Sequence, residues 1–316
     1  MMRGRTMAAA EIQRVGPRAA LAMGSDGEGR VAAVFDRSFY LALAGGWVCV
    51  GGPGLGDGPL NAVLTRRMPK SWPALGVVAG LPAHLDSSCL HLHPGLALGF
   101  EYTHTWTPPA PPAPESVRIC AGRRALARAL TCCDPPGEGL ASQVFARRAR
   151  GDLQCAVAPL RSLESWLAGC FGARHRPADP RGMEALLGLG PGLTPSGDDL
   201  LGGALITLRA IDAYAAGRLA AALRPHLATR TTPISAAHLE AAMAGWGCDR
   251  FHALLGKVLA GDAAAVPACA HALARVGHCS GWDMLAGLDI VLRAYPAAHA
   301  VAAPRAVNSD LGDCLP

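Results

Sequence analysis

The stretch from Gly188 to Gly203 reads Gly-Leu-Gly-Pro-Gly-Leu-Thr-Pro-Ser-Gly-Asp-Asp-Leu-Leu-Gly-Gly, and it restricts the fold more than any other part of the chain. Its first half is too rich in glycine and proline for regular structure. Leu200, Leu201, Ala204, Leu205, Leu208 and Ile211 then recur at helical spacing. A loop therefore feeds a helix N-terminus. Ser196 stands where an N-cap is expected, and Asp199 three residues on can reach back to it, so Ser196-Gly197-Asp198-Asp199 reads as a capping box.

The pattern returns near the C-terminus. Ser280 to Ala294 aligns without gaps on Ser196 to Ala210 with nine of fifteen positions identical, which places the serine, the acid (Asp199, Asp283) and a glycine (Gly203, Gly287) in one register. This is an internal pseudo-repeat, and each glycine, one turn beyond its acid, can let another backbone come close. The two helices are expected to cross or run side by side with their N-terminal ends adjacent.

Upstream the periodicity is that of strands. Runs around Arg30 to Leu43, Trp47 to Val50, Ala74 to Val78, His91 to His93 and Leu96 to Tyr102 are separated by glycine-rich turns. A proline-rich segment follows, and beyond it apolar residues recur at three and four spacing as far as the repeat helix. The expected fold class is α+β. Residues 1–106 are read as a β-rich sheet or partly open barrel, 107–116 as a Pro-rich linker, and 117–316 as a larger, mostly α-helical domain carrying both motifs and the pseudo-repeat.

Composition narrows the function classes. The formal charge of +5 comes almost wholly from arginine, since Lys70 and Lys257 are the only lysines, and no basic run exceeds pairs such as Arg66-Arg67 and Arg147-Arg148. A nucleic-acid surface needs such residues concentrated on one face, so none is expected. Eleven scattered cysteines without a CxxC pair fit neither a disulfide framework nor a zinc knuckle. Met1 to Gly16 has Arg3 and Arg5 but no continuous apolar region, and Tyr40 to Gly56 is broken by six glycines and a proline. A cytoplasmic protein with no membrane partner is expected.

Three segments can carry chemistry. Amides at the helix start after Ser196, with the hydroxyls of Thr194 and Ser196, suit a carboxylate or phosphate, yet Asp198 and Asp199 repel one unless a cation bridges them. Capping and dipole compensation is the competing reading. In Arg230-Thr231-Thr232-Pro233-Ile234-Ser235, Thr232 with Pro233 makes an N-cap and first helical position, and Arg230 can clamp an anion. In Gly277-His278-Cys279-Ser280-Gly281-Trp282-Asp283, His278 is an acid or base candidate, while Cys279 has no evident orienting partner. His91 and His93 share one strand face, and with His104 they could ligate zinc, but alternating strand histidines are usually just exposed.

Taken together, these three motifs in this order resemble the AllH-type proteins, a family associated with the third subunit of bacterial oxamate carbamoyltransferase. The resemblance extends more loosely from about Val31 to the last helix, and it departs at Cys279, where the family more often has serine. It implies transfer of a carbamoyl group between phosphate and oxamate in anaerobic allantoin or purine breakdown, with two other subunits and a carbamate kinase. Residue by residue it covers Gly190, Gly192, Thr194, Ser196, Gly197, Asp198, Asp199, Thr231, Thr232, Ser235, His278, Ser280, Gly281 and Asp283. Asp198, Asp199, His278 and Asp283 are then the catalytic candidates, and the remaining positions, with Arg230, bind an anionic substrate. Thr229-Arg230-Thr231 is also similar to the loop with which other carbamoyltransferases hold carbamoyl phosphate. No cofactor is expected. Alternatives are a non-catalytic assembly subunit, or a hydrolase holding Mg²⁺ on Asp198, Asp199 and Asp283.

Overall fold

The structure, a computed structural model, describes residues 10–68, 70–101, 103–131, 133–146, 151–171 and 179–296. The expectations resting on Arg3 and Arg5 and on the Arg147-Arg148 pair lie outside them.

Among the described residues nine strands form the N-terminal part: β1 (Ala10–Val15), β2 (Gly27–Val34), β3 (Ser38–Leu43), β4 (Gly46–Gly51), β5 (Asn61–Leu64), β6 (Pro82–Leu85), β7 (Cys89–His93), β8 (Leu96–Gly99) and β9 (His104–Thr105). Their order is β5-β4-β3-β2-β6-β7-β8-β1-β9, and β5 also pairs with β1. That pairing, Ile12 opposite Leu64 and Val15 opposite Ala62, closes eight strands into a barrel-like sheet with β9 as a short appendage. Closure is what the sequence left open. It is made by a strand from the very start of the described chain, and it removes the unpaired edge that an open sheet would expose.

Side chains alternate as the strand period requires, with Leu90 and Leu92 of β7 inside and Cys89, His91 and His93 outside. The interior is filled by residues such as Ile12, Phe39, Leu41 and Trp72, and Phe39 meets Trp72 edge to face at 4.7 Å. β5 is buried at all four positions and pairs in parallel with β4, as expected of a strand covered on both faces. Helix α1 (Pro17–Ala22), which begins on a proline, covers part of that region. The strand expected over Ala74 to Val78 is not one. Pro73 starts a 3₁₀ turn there, Pro73–Leu75, which Gly76 ends at φ +81°.

Residues 106–115 carry no regular structure, and helices follow. They are α2 (Ser116–Thr131), α3 (Ala141–Ala146), α4 (Val157–Phe171), α5 (Ser196–Ile211), α6 (Ala213–Leu223), α7 (Leu227–Arg230), α8 (Pro233–Met243), α9 (Asp249–Ala260), α10 (Val266–Ala274) and α11 (Ser280–Ala294). Their apolar faces form a hydrophobic cluster separate from the barrel interior. The pseudo-repeat helices α5 and α11 lie at its centre and are buried nearly all round, which is why neither shows the one-sided polarity of a surface helix. The other helices wrap this pair, α8 and α6 against α5, and α3, α4 and α10 against α11. The barrel meets the helices where Asp249 N donates to Asp57 O at 2.9 Å, and where Trp106 packs on His252.

Candidate active site

The two repeat helices make reciprocal contacts. Ser196 of α5 bonds Asp283 of α11, and Ser280 of α11 bonds Asp199 of α5. One turn on, a Cβ built on Gly203 would lie 2.2 Å from Met284 O, and one on Gly287 would lie 2.0 Å from Leu200 O. The contacts advance together along both helices, so α5 and α11 run in the same direction with their N-termini side by side. The expected adjacency is met directly, with Thr194 Oγ1 3.2 Å from Ser280 Oγ.

The capping-box reading is corrected in the same place. Pro195 is the N-cap of α5, Ser196 is already helical, and no side chain caps the helix. Serine and acid are partners, as that reading held, but between helices rather than within one. The physical reason is that two parallel N-termini bring two positive dipole ends together, so an acidic side chain from each helix is favoured beside the start of the other.

Asp198 has a different task. It is 2 % exposed, and its carboxylate accepts from Gly188 N at 2.9 Å, from Ser235 Oγ at 2.7 Å and from Thr231 Oγ1 in a short bond. One carboxylate thus ties the glycine loop to the start of α8. Thr232 completes the junction by capping α8 through Ser235 N and donating to Leu193 O. Burial nevertheless pushes the Asp198 carboxyl up from its ordinary value, the three donors offsetting part of that.

A cavity of about 820 Å³ opens between these helix ends and the barrel wall. Gly192, Thr194, Ser196, Asp198, Asp199, Ser235, His278 and Ser280 all line it. Asp199 is half-buried on this wall. Burial holds its carboxyl well above the ordinary value, Asp283 and Asp198 add to the rise, and the hydroxyls of Ser280 and Thr194 oppose it. Its Oδ2 is buried and has no hydrogen-bond partner among the described residues.

The remaining candidates fall in three places. Gly190 (φ +110°) turns the loop back onto Ser196, and Gly197 and Gly281 pack against Leu186 O and Leu273 O, so these three shape the backbone rather than the cavity wall. Asp283 is fully buried behind the wall, accepting from Ala141 N at 2.8 Å. His278 is exposed at the rim, where its Nε2 lies 2.6 Å from Glu138 Oε2. Arg230 is a correction: it sits exposed at the end of α7 and does not line the cavity, and Arg250 at the start of α9 is the arginine that does. The three carboxylates considered for Mg²⁺ do not converge either. Among the described residues the groups with metal-ligand spacing do not include these acids; one, Glu138, His278 and Cys279, is at the cavity rim, and the other is on the barrel.

The opposite wall was not legible in the sequence. Tyr40 Oη of β3 lies 3.1 Å from His238 Nε2 of α8, and Cys49 of β4 bonds Tyr40. Burial pushes the Tyr40 phenol up, pushes the Cys49 thiol up to about 12, and pushes His238 down to about 4, so this wall is uncharged at neutral pH. The signal available was weak: Ser235, His238 and Leu239 share one helix face at three and four spacing. Nothing local tied that face to a strand nearly two hundred residues away.

Residues 186–292 match the family model for oxamate carbamoyltransferase subunit AllH. The resemblance read from the motifs is thus borne out over about a third of the chain, from Leu186 just before the glycine loop through nearly all of α11. The AllH-matching segment holds the helix pair, the Asp198 junction and His278. The barrel wall with Tyr40 and Cys49 lies outside it. No curated protein and no solved structure matches the chain. No helix among the described residues is long and apolar enough to cross a membrane.

The buried acids give a pH test. Burial raises Asp283 from 3.8 to about 6, against the opposing bonds from Ala141 N, Ser196 and Leu140 N. A carboxyl raised in the folded state stabilises it only while protonated there. Stability is therefore expected to fall as pH rises from about 4 to about 6, by up to roughly 3 kcal/mol from this group. Urea denaturation of wild type and Asp283→Asn across that window checks it. The variant, which keeps an oxygen acceptor for Ala141 N, should show the shallower slope.

Proposed function

We propose that this chain is a subunit of a carbamoyltransferase that exchanges a carbamoyl group between phosphate and oxamate or a related ureido acid, in purine or allantoin nitrogen catabolism, working with two other subunits. The observation that carries the reading is Asp199, a half-buried acid lining a sizeable cavity, whose carboxyl is held well above its ordinary value and whose Oδ2 has no hydrogen-bond partner among the described residues. A carboxylic acid and a primary amide are complementary. The acid O–H donates to the carbamoyl oxygen while its carbonyl oxygen accepts from the NH₂ group. As charge develops on that oxygen during transfer, a donor already in place stabilises it, and Ser280 and Thr194 hold the acid in position. On this reading Arg250, which also lines the cavity, pairs with the acceptor's carboxylate. The match of residues 186–292 to AllH supports the substrate class and the need for further subunits. A cytoplasmic setting accords with the reading.

The test is formation of carbamoyl phosphate from oxalurate and phosphate, measured with the chain alone and with its co-encoded partners. Activity is expected only in the complex. In the complex, Asp199→Asn, which cannot supply the acidic proton, should lower kcat by about 100-fold while leaving assembly intact. Full activity in that variant would remove Asp199 from the chemistry, and no activity in any preparation would overturn the transferase reading.

A further inference from the structure

Away from the cavity, the outer face of the β6–β7 hairpin gathers a second set of chemically active side chains. The hairpin turn is built on Asp86. Its Oδ1 accepts from Ser88 N at 2.8 Å, Ser88 Oγ at 3.1 Å and Cys89 N at 2.8 Å, which fixes the carboxylate rigidly. Its Oδ2 is left facing His91, 2.8 Å from Nε2. Cys89 and His91, two apart in β7, point to the same face, and Cys89 is a free, half-buried thiol. The ligand atoms of Asp86, Cys89 and His91 all lie within 4.8 Å of one another.

Two more residues complete the arrangement. His84 of β6 is the register partner of His91, with ring centroids 6.0 Å apart, and Glu28 of β2 is the register partner of His84. Glu28 Oε1 holds His84 Nδ1 at 2.9 Å. That bond leaves Nε2 as the ring nitrogen for another partner.

We propose that Asp86, Cys89, His91 and His84 form a transition-metal site of the zinc class, with Glu28 orienting His84 from behind. A thiolate, two imidazoles and one carboxylate oxygen are the donor set of a tetrahedral, borderline-soft cation, whereas Mg²⁺ and Ca²⁺ take oxygen ligands. Zinc bonds of about 2.0–2.3 Å put neighbouring donors roughly 3.3–3.8 Å apart, so the three hairpin groups need to close by only about 1 Å. Half-exposed side chains can do that by rotamer adjustment. The Glu28–His84 bond is the carboxylate–histidine support that fixes the orientation of metal-bound imidazoles. An ordinary turn accounts for the bonds to Asp86 Oδ1. It does not account for a thiol and a histidine beside the other oxygen, with a second histidine as that histidine's register partner on β6. Of the three histidines weighed from the sequence only His91 takes part, since His93 Nε2 is 3.0 Å from Leu75 O and His104 lies on β9. The bound ion would fasten β2, β6 and β7 on the solvent side, where no core holds them. This site is independent of the transferase reading.

The experiment uses the full chain, stripped with chelator under reducing conditions and titrated with Co²⁺ as the spectroscopic stand-in for Zn²⁺. One equivalent should bind with tetrahedral d–d absorption and a sulfur-to-cobalt charge-transfer band, and Zn²⁺ should displace it. Cys89→Ser should abolish the charge-transfer band, and Glu28→Gln, which alters no ligand, should weaken Co²⁺ binding by about 10-fold. Cys279→Ser should leave both signals in place; it guards against the other group with metal-ligand spacing, Glu138, His278 and Cys279 at the cavity rim. Absence of a saturable band in the wild type, its survival in Cys89→Ser, or its loss in Cys279→Ser would each overturn the assignment.

Discussion

Replacing Gly287 by alanine is expected to destabilise the protein by at least about 3 kcal/mol, a large cost for one methyl group. The new Cβ would stand 2.0 Å from Leu200 O and 2.8 Å from Ala204 N, and both are backbone atoms of a helix that cannot swing aside as a side chain can. Relief requires α5 and α11 to move apart, and they are the central pair of the helical core, so every helix packed on them loses contact. Gly203→Ala should cost a similar amount through Met284 O, which its Cβ would approach to 2.2 Å. The double variant should cost clearly less than the two single losses added together, because one separation of the helices relieves both clashes. Urea midpoints of the three variants check this. Full additivity would show that the two glycines do not share a single contact.

The second large effect concerns Asp198. Alanine there leaves Gly188 N, Thr231 Oγ1 and Ser235 Oγ without their acceptor in a site where Asp198 is only 2 % exposed, and about 3–5 kcal/mol of stability should be lost. Asparagine keeps one oxygen for Gly188 N, and hydroxyls can turn to accept from its NH₂, so Asp198→Asn should cost only about 1–2 kcal/mol. The contrast with Asp199 is the informative part. Asp199→Asn is expected to preserve stability while lowering turnover of the assembled enzyme, whereas Asp198→Ala should unfold the glycine loop and α8 junction whether or not substrate is present. Thermal unfolding of both variants beside their activities in the complex separates the roles.

Two acids adjacent in sequence thus do different work, and the chain order alone could not divide it between them. In the sequence, Ser196-Gly197-Asp198-Asp199 satisfies a local rule, and a local rule predicts a local bond. The structure breaks that rule because the second copy of the motif is near enough to exchange partners, Ser196 with Asp283 and Ser280 with Asp199. Arg230 went the same way. Its neighbours Thr231, Thr232 and Ser235 do take part in the junction, but α7 ends with the arginine outside the cavity, and Arg250 from the next helix but one faces it instead.

What the sequence determined by itself is whatever depends on near neighbours along the chain. The change of period from two to three and four separates β-rich from helical residues, the glycines and prolines punctuate them, and the repeat at Ser196 and Ser280 announces a pair of like helices. Even their closeness was legible, because a small residue at the same place in both copies has few other uses. Only the tertiary structure decided that β1 closes the sheet on β5, that Tyr40 and His238 form the far wall of the cavity, and that Glu28, His84 and His91 stand in one row across three strands. These contacts join residues as far as 198 positions apart. Their geometry is set by the packing of whole elements against one another, and no local propensity or spacing carries that information.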